Sequence, residues 1–385
     1  MDIQALFSTI DSLSSEYLHV WEDIVNIESP TLYKAGVDAV GSYVAAHAAS
    51  LGFECETFPF EKSGDLVCIT MNGDAVGTPI CLSAHTDTVH PVGSFGTPAA
   101  RIAEDEDKIY GPGTTDCKGG IAVALLAMRA LQKMGYTDRP IKLILQSDEE
   151  KGSAPSELGT VKKMCELAKG SAAFFNLEGS HPPKATLARK GIIRFTFKVH
   201  GKEAHAAACA KEGANAILEA AHKIIECERL KDDDGITCSC NVIEGGSAQN
   251  TVPRLCIFHA DVRYATKAQR EEVIAYMQAL ADKTFVDGCS TELIISGGRI
   301  AMERTERNER LLDRMNEIFE EYDLGKRIPF FARGGSDAAY ITEAGIPCVD
   351  NFGSSGGSIH SPKEYGWISS LPRAAKELAV LIVKL

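Results

Sequence analysis

Three short apolar runs in the first half of the chain each lead into side chains that can ligate a metal ion or transfer a proton. The runs cover residues 79–82, 141–147 and 172–177, and they lead into His85 and Asp87, Glu149 and Glu150, and Glu178. Such runs alternate with helical patterns over residues 1–185, which predicts buried strands in a layered α/β sheet. Because the carboxyl ends of parallel strands open on one crevice, we expect these side chains to meet at one edge of the sheet.

The pair His85 and Asp87 suits a metal ligand and its supporting carboxylate. Side chains two residues apart in an extended chain point to the same side. A metal-binding His usually donates its second ring N–H to a carboxylate or a backbone carbonyl. The pattern His-x-Asp also recurs by chance, and alone it fits an ordinary polar strand end equally well.

Two further segments add potential ligands. A glycine-rich turn, residues 110–120, carries Asp116 at its centre and precedes a helical pattern over residues 121–134, and His360 follows far downstream. Two His and several carboxylates form the ligand set expected for zinc or for a pair of divalent ions. The turn does not match a nucleotide-binding loop, because it lacks Gly-x-Gly-x-x-Gly after a strand and because Lys118 precedes Gly119 rather than Ser or Thr.

Length and composition indicate a soluble globular protein of two domains. The chain has 385 residues, of which 44% are hydrophobic and 24% charged. The net charge is −13 and no basic run is present, so we expect no nucleic-acid partner. No apolar stretch approaches the ~20 residues of a membrane span, and the first residues show no secretory signal. We therefore expect a cytoplasmic protein without a membrane partner.

The twelve cysteines are scattered, and several lie in apolar runs, as expected of reduced cytosolic thiols. Cys238 and Cys240 form the only close pair, within an alternating strand pattern, and the Cys-x-x-Cys pairs of a zinc ribbon are absent. Cys117, beside Asp116, is a candidate for reactivity, although an inert neighbour is the simpler interpretation.

The middle of the chain differs from its flanks. Residues 188–296 follow the order β-α-β-β-α-β, which is the ferredoxin-like split βαβ motif. The predicted organisation is a discontinuous domain, 1–187 and 297–385, interrupted by the domain 188–296. The last segment returns to helix–strand alternation and is expected to bring His360 back to the first sheet.

Several sequence blocks identify a family. They span nearly the whole chain: residues 84–88, 110–120, 148–150, 177–179, 201–206, 213–216, 245–253, 260–264, 334–339 and 359–361. In these blocks the chain resembles the M20 metallopeptidases, a family with glutamate carboxypeptidases, acetylornithine deacetylases and succinyl-diaminopimelate desuccinylases. Blocks 111–113, 260–264 and 334–340 are most similar to the glutamate carboxypeptidase branch. The resemblance implies an α/β fold, with a layered zinc-peptidase catalytic domain and an inserted ferredoxin-like α+β domain that serves as dimerisation and lid domain.

The resemblance also implies a site with two Zn²⁺ per subunit, for which Co²⁺ or Mn²⁺ are possible substitutes. The implied metal ligands are Asp116, which bridges both ions, His85 and Glu178 on one ion, and Glu150 and His360 on the other. Glu149 is the implied general base, and Asp87 supports His85. A carboxylate has two oxygens, so one Asp can join two ions ~3.5–4 Å apart. His90, His181 and His200 match no ligand position.

The inserted domain carries the remaining implied roles. In the family it pairs two subunits, and a His from one subunit stabilises the oxyanion in the other's site; His205 matches that residue. Asn250 and Arg263 match residues that hold the substrate carboxylate, although Arg263 also fits a surface salt bridge. Gly335 and Ser336 match a loop near the substrate. Two departures stand out: residues 206–210 replace a Gly and Pro common in the family, and Cys117 replaces an apolar residue.

The predicted function is a dinuclear zinc metallopeptidase that hydrolyses the amide bond of a small peptide or N-acyl amino acid with a free carboxylate. Carboxypeptidase action is preferred, and an N-acyl-amino-acid deacylase is the alternative, because the two share metals and mechanism and differ in pocket shape. A non-catalytic relative that binds a small molecule is a remote alternative. Loss of a ligand or of Glu149 would favour it, and all six positions are intact.

Overall fold

The structure is a computed structural model that describes residues 1–385. The chain folds into nine α-helices and sixteen β-strands. The helices are α1 (Ile3–Asn26), α2 (Lys34–Ser50), α3 (Gly119–Lys133), α4 (Gly159–Ala168), α5 (Ala216–Cys227), α6 (Lys267–Asp282), α7 (Glu306–Glu321), α8 (Ala338–Glu343) and α9 (Ser370–Lys384). The strands of the first half are β1 (Glu54–Phe58), β2 (Leu66–Met71), β3 (Ile80–His85), β4 (Arg101–Ala103), β5 (Lys108–Tyr110), β6 (Ile141–Gln146), β7 (Ala173–Asn176) and β8 (Lys184–Arg189). Those of the second half are β9 (Gly191–His200), β10 (Thr237–Gly245), β11 (Leu255–Tyr264), β12 (Ser290–Arg299), β13 (Ile328–Ala332), β14 (Cys348–Val349), β15 (Gly356–Gly357) and β16 (Tyr365–Trp367).

The chain divides into two units. The first contains Met1–Leu187, Arg304–Phe331 and Tyr340–Leu385, and the second contains Ala188–Glu303 and Ala332–Ala339. The second unit runs past residue 296, where the sequence placed its end, because β12 continues to pair with β9 through Arg299 beyond a bulge at Ser296/Gly298. It also includes Gly335 and Ser336, which the sequence assigned to the catalytic domain.

A six-stranded sheet in the order β1-β2-β6-β3-β7-β14 organises the first unit. Strands β6, β3, β7 and β14 run parallel to one another, whereas β2 pairs antiparallel with β6 and β1 pairs antiparallel with β2. All six residues of β3 are buried, as expected for a central strand covered on both faces. The expected α/β layering is confirmed, and the carboxyl ends of three parallel strands share one edge.

Helix α3 follows the glycine-rich turn and lies almost entirely in the core of the first unit. A Cβ added at Gly120 would lie 2.1 Å from the carbonyl oxygen of Leu177. The backbone of α3 therefore approaches the residue before Glu178 more closely than any side chain would allow. This contact holds the start of α3 against the end of β7, where a predicted ligand is located.

The second unit has one four-stranded antiparallel sheet, in the order β10-β11-β9-β12, with α5 and α6 packed on it. Both helices begin at capping residues: the Asn215 side chain caps α5, and Thr266 forms a capping box with Gln269 at α6. Phe197 and Phe258 stack at a ring distance of 4.6 Å in its core. The β-α-β-β-α-β order expected from the sequence is present.

No helix of the protein combines the length and the hydropathy that a membrane span requires.

Candidate metal centre

Three parallel strands deliver the predicted ligands to one edge of the sheet. Strand β3 ends at His85, β6 is followed by a short 3-10 helix at Glu149–Lys151, and β7 is followed by Glu178. Because β3 runs parallel to both β6 and β7, the three ends point the same way. Ligand sites form in such crevices, where the backbone of each strand fixes the side chain that follows it.

The His85 ring is oriented to offer one nitrogen to a metal ion. Its Nδ1 lies 2.9 Å from the backbone carbonyl oxygen of Asp87. Since a carbonyl oxygen only accepts, Nδ1 carries a proton, which leaves Nε2 as the nitrogen that would bind a metal ion. That Nε2 atom lies 3.1 Å from Oδ1 of Asp116 and 3.6 Å from Oε1 of Glu178. His85, Asp116 and Glu178 thus form one group of converging donor atoms.

Asp116 also contributes to a second group. It lies in the kinked turn Thr114–Lys118, where its own backbone is not helical, and its Oδ2 is 3.0 Å from Nε2 of His360. The same His360 nitrogen is 3.4 Å from Oε2 of Glu150. His360 adopts a left-handed backbone with φ of 60°, an uncommon conformation that clusters at functional sites. Each carboxylate oxygen of Asp116 therefore faces a different histidine, the arrangement of a bridging ligand.

The Asp87 carboxylate supports more than its neighbouring histidine. Its Oδ1 lies 3.3 Å from Nδ1 of His85 and accepts the backbone N–H of Glu149 at 3.2 Å. Its Oδ2 accepts the backbone N–H of Glu150 at 3.1 Å and the Thr31 hydroxyl at 2.7 Å. Asp87 is fully buried, so these bonds replace its hydration. It links the His85 strand to the loop that carries both glutamates.

The three consecutive acids after β6 have different surroundings. Asp148 accepts the Thr160 hydroxyl at 2.6 Å and the Ser156 backbone N–H at 3.0 Å, and burial raises the pKa of its carboxyl group. Asp148 therefore anchors the segment that leads to α4. Glu149 and Glu150 remain for the site itself, and the Asp87 carboxylate holds the backbone of both.

A buried pair that the sequence did not single out supports the Asp116 turn. Oε1 of Glu364 accepts the backbone N–H groups of Thr115 at 3.0 Å and Asp116 at 3.1 Å. Its other oxygen lies 2.6 Å from Nε2 of His90. Glu364 and Asp116 are 248 residues apart, and no motif joins them. Only the fold shows that Glu364 positions the backbone of Asp116, and that His90 contacts Glu364 rather than the candidate ligands.

The candidate metal centre contains more carboxylates than imidazoles, and this excess changes the pKa values of its side chains. Burial and the nearby Asp116 raise the pKa of Glu150 to about 7, and burial raises the pKa of Glu178 well above its usual range. Hydrogen bonds to Asp116 and Glu150 raise the pKa of His360 to about 10. Burial alone lowers the pKa of His85, but the surrounding carboxylates of Glu178, Asp116 and Asp87 raise it well above normal. The buried carboxylates outnumber the imidazoles, so the centre favours added positive charge.

The donor atoms present fit divalent metal ions. Oε1 of Glu150 is buried and has no hydrogen-bond partner. An unsatisfied buried carboxylate oxygen is costly, and coordination to a cation would remove that cost. Imidazole and carboxylate donors together match zinc and similar ions. The ligand set would be His85, Asp116, Glu150, Glu178 and His360.

The Cys117 side chain contacts the backbone of His85. Its Sγ accepts the His85 backbone N–H at 3.1 Å, and donor atoms of His85, Cys117 and Glu178 lie within 4.8 Å of one another. Burial raises the pKa of the Cys117 thiol to about 12. A neutral thiol that accepts a backbone hydrogen bond is best explained as a packing residue under the centre.

In the second unit, the structure brings His205 and Asn250 together. His205 begins a short 3-10 helix, Ala206–Ala208, and its Nδ1 accepts the Ala207 backbone N–H at 3.2 Å. The Ala206 N–H donates to the carbonyl oxygen of Asn250 at 2.9 Å. The alanine-rich departure from the family pattern therefore forms a helical turn, and His205 remains exposed at its start.

The other predicted substrate residues of this unit have internal partners. Arg263, on β11, donates from Nε to Oδ1 of Asp261 at 2.6 Å and is about one-third exposed, at 32%. The Gly335 carbonyl accepts from Nη1 of Arg189 at 3.4 Å. The Ser336 hydroxyl oxygen accepts the Ala338 backbone N–H at 3.3 Å, at the start of α8.

The sequence is similar to a family of peptidases over most of its length. Residues 81–384 match the family described as "Peptidase family M20/M25/M40". Carboxypeptidase G2 of Pseudomonas sp. (strain RS-16) is 29% identical over 391 residues, which cover 99% of this chain and 92% of that protein. Acetylornithine deacetylase of Myxococcus xanthus is 26% identical, over 88% of this chain and 89% of that protein.

The fold has close counterparts among solved structures. The aminopeptidase PepT from Bacillus cereus ATCC 10987 superposes with a TM-score of 0.79 at 21% sequence identity. The match covers 96% of this chain and 98% of that chain. At this identity the likeness supports the fold alone.

Proposed function

Since the chain belongs to peptidase family M20/M25/M40 and is a metal-dependent hydrolase, we propose that it is a dinuclear zinc carboxypeptidase. Its substrate would be a small peptide or N-acyl amino acid with a free carboxylate, of the kind that a glutamate carboxypeptidase cleaves. One observation carries this proposal: the two oxygens of Asp116 face His85 at 3.1 Å and His360 at 3.0 Å. This arrangement suits a carboxylate that bridges two ions.

In the proposed centre, His85 and Glu178 complete one ion and Glu150 and His360 the other. When bound, the metal ions supply Lewis-acid polarisation of the scissile carbonyl and lower the pKa of water. Co²⁺ or Mn²⁺ would be possible substitutes for Zn²⁺, because carboxylate and imidazole donors accept them as well.

Glu149 is the proposed general base. Its carboxylate would take a proton from the attacking water and return that proton to the leaving amine. The backbone of Glu149 donates to Asp87, and the same Asp87 carboxylate lies beside His85. We therefore propose that Asp87 fixes the position of Glu149 relative to His85, so that Glu149 takes and returns the proton from a fixed position.

Residues of the second unit are proposed to bind the substrate. Arg263 and Asn250 would hold its free carboxylate, since a guanidinium binds a carboxylate in bidentate fashion. Arg263 is already paired with Asp261, which orients its guanidinium before substrate arrives. Gly335 and Ser336 would lie near the substrate. His205 would stabilise the oxyanion in the partner subunit of a homodimer formed through the inserted domain. A cytoplasmic location stays a prediction from the pattern of cysteines.

The second candidate is an N-acyl-amino-acid deacylase. The similarity to acetylornithine deacetylase, 26% identical over 88% of this chain, favours it. Both candidates use the same metal ligands and the same base, and they differ in which side of the amide bond must be recognised. A non-catalytic small-molecule-binding relative is the remote alternative.

A substrate panel tests the proposal. Zinc-loaded protein is assayed on peptides with C-terminal glutamate, peptides with other C-terminal residues, and N-acetyl and N-succinyl amino acids. Preference for the glutamyl peptides would support the carboxypeptidase, and preference for the acyl amino acids would replace it with the deacylase.

The matched inactive variant is Glu149→Gln, which keeps size and shape but removes the base. It should retain metal and lose about 10²–10⁴-fold in kcat. The control is Glu157→Gln, an exposed acid from the same stretch of chain that pairs with Lys62. Full activity in Glu149→Gln would remove Glu149 from the mechanism.

A further inference from the structure

A second set of soft metal-binding side chains lies entirely within the second unit. The Sγ atoms of Cys227, Cys238 and Cys240 all lie within 4.8 Å of one another, and none of the three is in a disulfide. Cys238 and Cys240 are the close pair noted in the sequence, and the fold adds Cys227 to them. We name these three residues the cysteine cluster. No part of the proposed hydrolytic mechanism uses it.

Local structure explains why the three thiols meet. Cys238 and Cys240 lie two residues apart on the edge strand β10, so their side chains share one face. Cys227 is the last residue of α5, which packs on that strand. The cluster therefore joins the end of a helix to a strand that follows it after a short connection.

Hydrogen bonds hold the strand against the end of the helix. The Cys238 backbone N–H donates to the Leu230 carbonyl at 2.8 Å, and the Cys240 N–H donates to Oε1 of Glu228 at 2.6 Å. Nζ of Lys231 donates to the Cys238 carbonyl at 2.6 Å. Three bonds thus fix the backbone on either side of the thiols before any ligand binds, as a preorganised site requires.

The surroundings suit a soft cation. Cys227 and Cys238 are buried, whereas Cys240 is partly exposed and offers a path of entry. The thioether sulfur of Met277 lies 3.7 Å from Sγ of Cys227 and is also buried. Sulfur donors select thiophilic ions over Mg²⁺ or Ca²⁺. The carboxyl end of α5, where Cys227 lies, favours positive charge.

The spacing of the three sulfur atoms and the charge of three thiolates favour a divalent ion over a monovalent one. Three thiolates around one ion, each at a Zn–S length of ~2.3 Å, lie roughly 3.8 Å apart in tetrahedral geometry. The three Sγ atoms all lie within 4.8 Å of one another, so small side-chain adjustments bring them to that spacing. Three thiolates with a divalent ion leave one negative charge, whereas a monovalent ion leaves two. The smaller residual charge is less costly in a buried site.

We propose that Cys227, Cys238 and Cys240 bind one thiophilic divalent cation of the zinc group as three thiolates, forming a structural metal site in the inserted domain. Binding forms three metal–sulfur bonds and releases the three thiol protons to solvent, with no change of oxidation state. Met277 or a water molecule on the Cys240 side would occupy the fourth position. The site is independent of the proposed hydrolytic centre.

Cadmium is the probe for this site. The full-length protein, purified with a reductant, is titrated with ¹¹³Cd²⁺ and followed by thiolate-to-metal charge-transfer absorption and by ¹¹³Cd NMR. The expected result is one resonance in the sulfur-ligated region, distinct from resonances of ions held by nitrogen and oxygen. Each of Cys227→Ala, Cys238→Ala and Cys240→Ala should lose that resonance.

Two control variants separate this site from other thiols. Cys256→Ala changes a buried cysteine of the neighbouring strand β11 and should keep the sulfur-ligated resonance. Cys117→Ala, beneath the hydrolytic centre, should keep it as well. Hydrolysis should be unchanged in the three cluster variants, so failure of this proposal and failure of the hydrolase proposal give different results.

A second measurement covers the case in which a cluster variant fails to fold. Wild-type protein is alkylated with iodoacetamide with and without Cd²⁺, and the modified peptides are identified by mass spectrometry. Cd²⁺ should protect Cys240, the partly exposed member of the cluster, and leave the exposed Cys55 and Cys209 reactive. The proposal would be overturned if the wild-type protein shows no sulfur-ligated resonance or no protection by Cd²⁺. It would also be overturned if all three cluster variants keep the resonance.

Discussion

Oδ1 of Asp87 accepts the backbone N–H of Glu149 at 3.2 Å, while the same oxygen lies 3.3 Å from Nδ1 of His85. One buried carboxylate therefore contacts both a proposed metal ligand and the backbone of the proposed base. In the sequence, Asp87 was predicted only to support His85. The structure extends that role to the loop after β6, because the other oxygen of Asp87 accepts the Glu150 N–H.

The first prediction concerns Asp87→Asn. The amide keeps one acceptor oxygen but turns its NH2 group toward either the Glu149 N–H or the Glu150 N–H and Thr31 hydroxyl. In either orientation the loop that carries both glutamates loses a hydrogen bond to residue 87. We expect metal affinity and kcat each to fall about 10–100-fold. Chelator competition measures the affinity, and kcat is taken at saturating zinc. If only affinity falls, Asp87 supports His85 alone, and its proposed hold on the base is wrong.

The second prediction concerns Glu364→Gln. Glu364 accepts the N–H groups of Thr115 and Asp116 as a buried carboxylate. Its replacement should lower the free energy of unfolding by about 1.5–3 kcal/mol, the range for hydrogen bonds to charged groups, and should weaken metal binding. Urea unfolding of metal-free protein measures the first effect. The exposed Glu106→Gln is the control, and equal stability of the two variants would contradict the positioning role.

The third prediction concerns His205→Ala. If His205 stabilises the oxyanion, kcat should fall about 10²–10³-fold while the metal content stays that of the wild type. The control is His200→Ala, an exposed histidine at the end of β9. Mixing His205→Ala with Glu149→Gln provides a further test, because a site completed by the partner subunit should regain activity in mixed dimers. A parallel fall of metal and rate would make the role of His205 structural.

The fourth prediction concerns pH and stability. Burial lowers the pKa of His47, whose ring lies edge-on to Tyr17 at 5.6 Å, below its ordinary value of 6.5. Between the folded and unfolded pKa values the unfolded chain binds more protons. The contribution of His47 to stability is therefore present above pH 6.5 and is lost as pH falls below it. As the pH is lowered below 6.5, the free energy of unfolding, measured in urea, should fall more for the wild type than for His47→Gln. A pH-independent difference would contradict the lowered pKa.

Much of the first unit follows from local sequence patterns. The apolar runs before His85, Glu149 and Glu178 were sufficient to predict three buried strands, and their parallel pairing was sufficient to predict convergence. The extension of β12 to Arg299 was missed, because a bulge at Ser296/Gly298 interrupts the alternation that marks a strand.

Long-range polar contacts could not be predicted in the same way. Glu364 supports Asp116 through backbone N–H groups, which leave no pattern in side-chain identity. The meeting of Cys227 with Cys238 and Cys240 depends on how α5 packs on β10. Such relationships depend on tertiary geometry, whereas periodicity reports only the local burial of each segment.

The bridged metal centre is tested most directly by the metal content per subunit, measured by plasma mass spectrometry on Cys227→Ala, a variant without the complete cysteine cluster. We expect about two zinc ions per subunit, loss of cleavage with a chelator and recovery on adding zinc. We also expect a marked loss of both ions in Asp116→Ala, since Asp116 is proposed to bridge them. One ion per subunit, or a single ion retained at full occupancy in Asp116→Ala, would contradict the bridged centre. Protein that binds no metal and stays inactive after zinc is added would contradict the hydrolase mechanism as a whole.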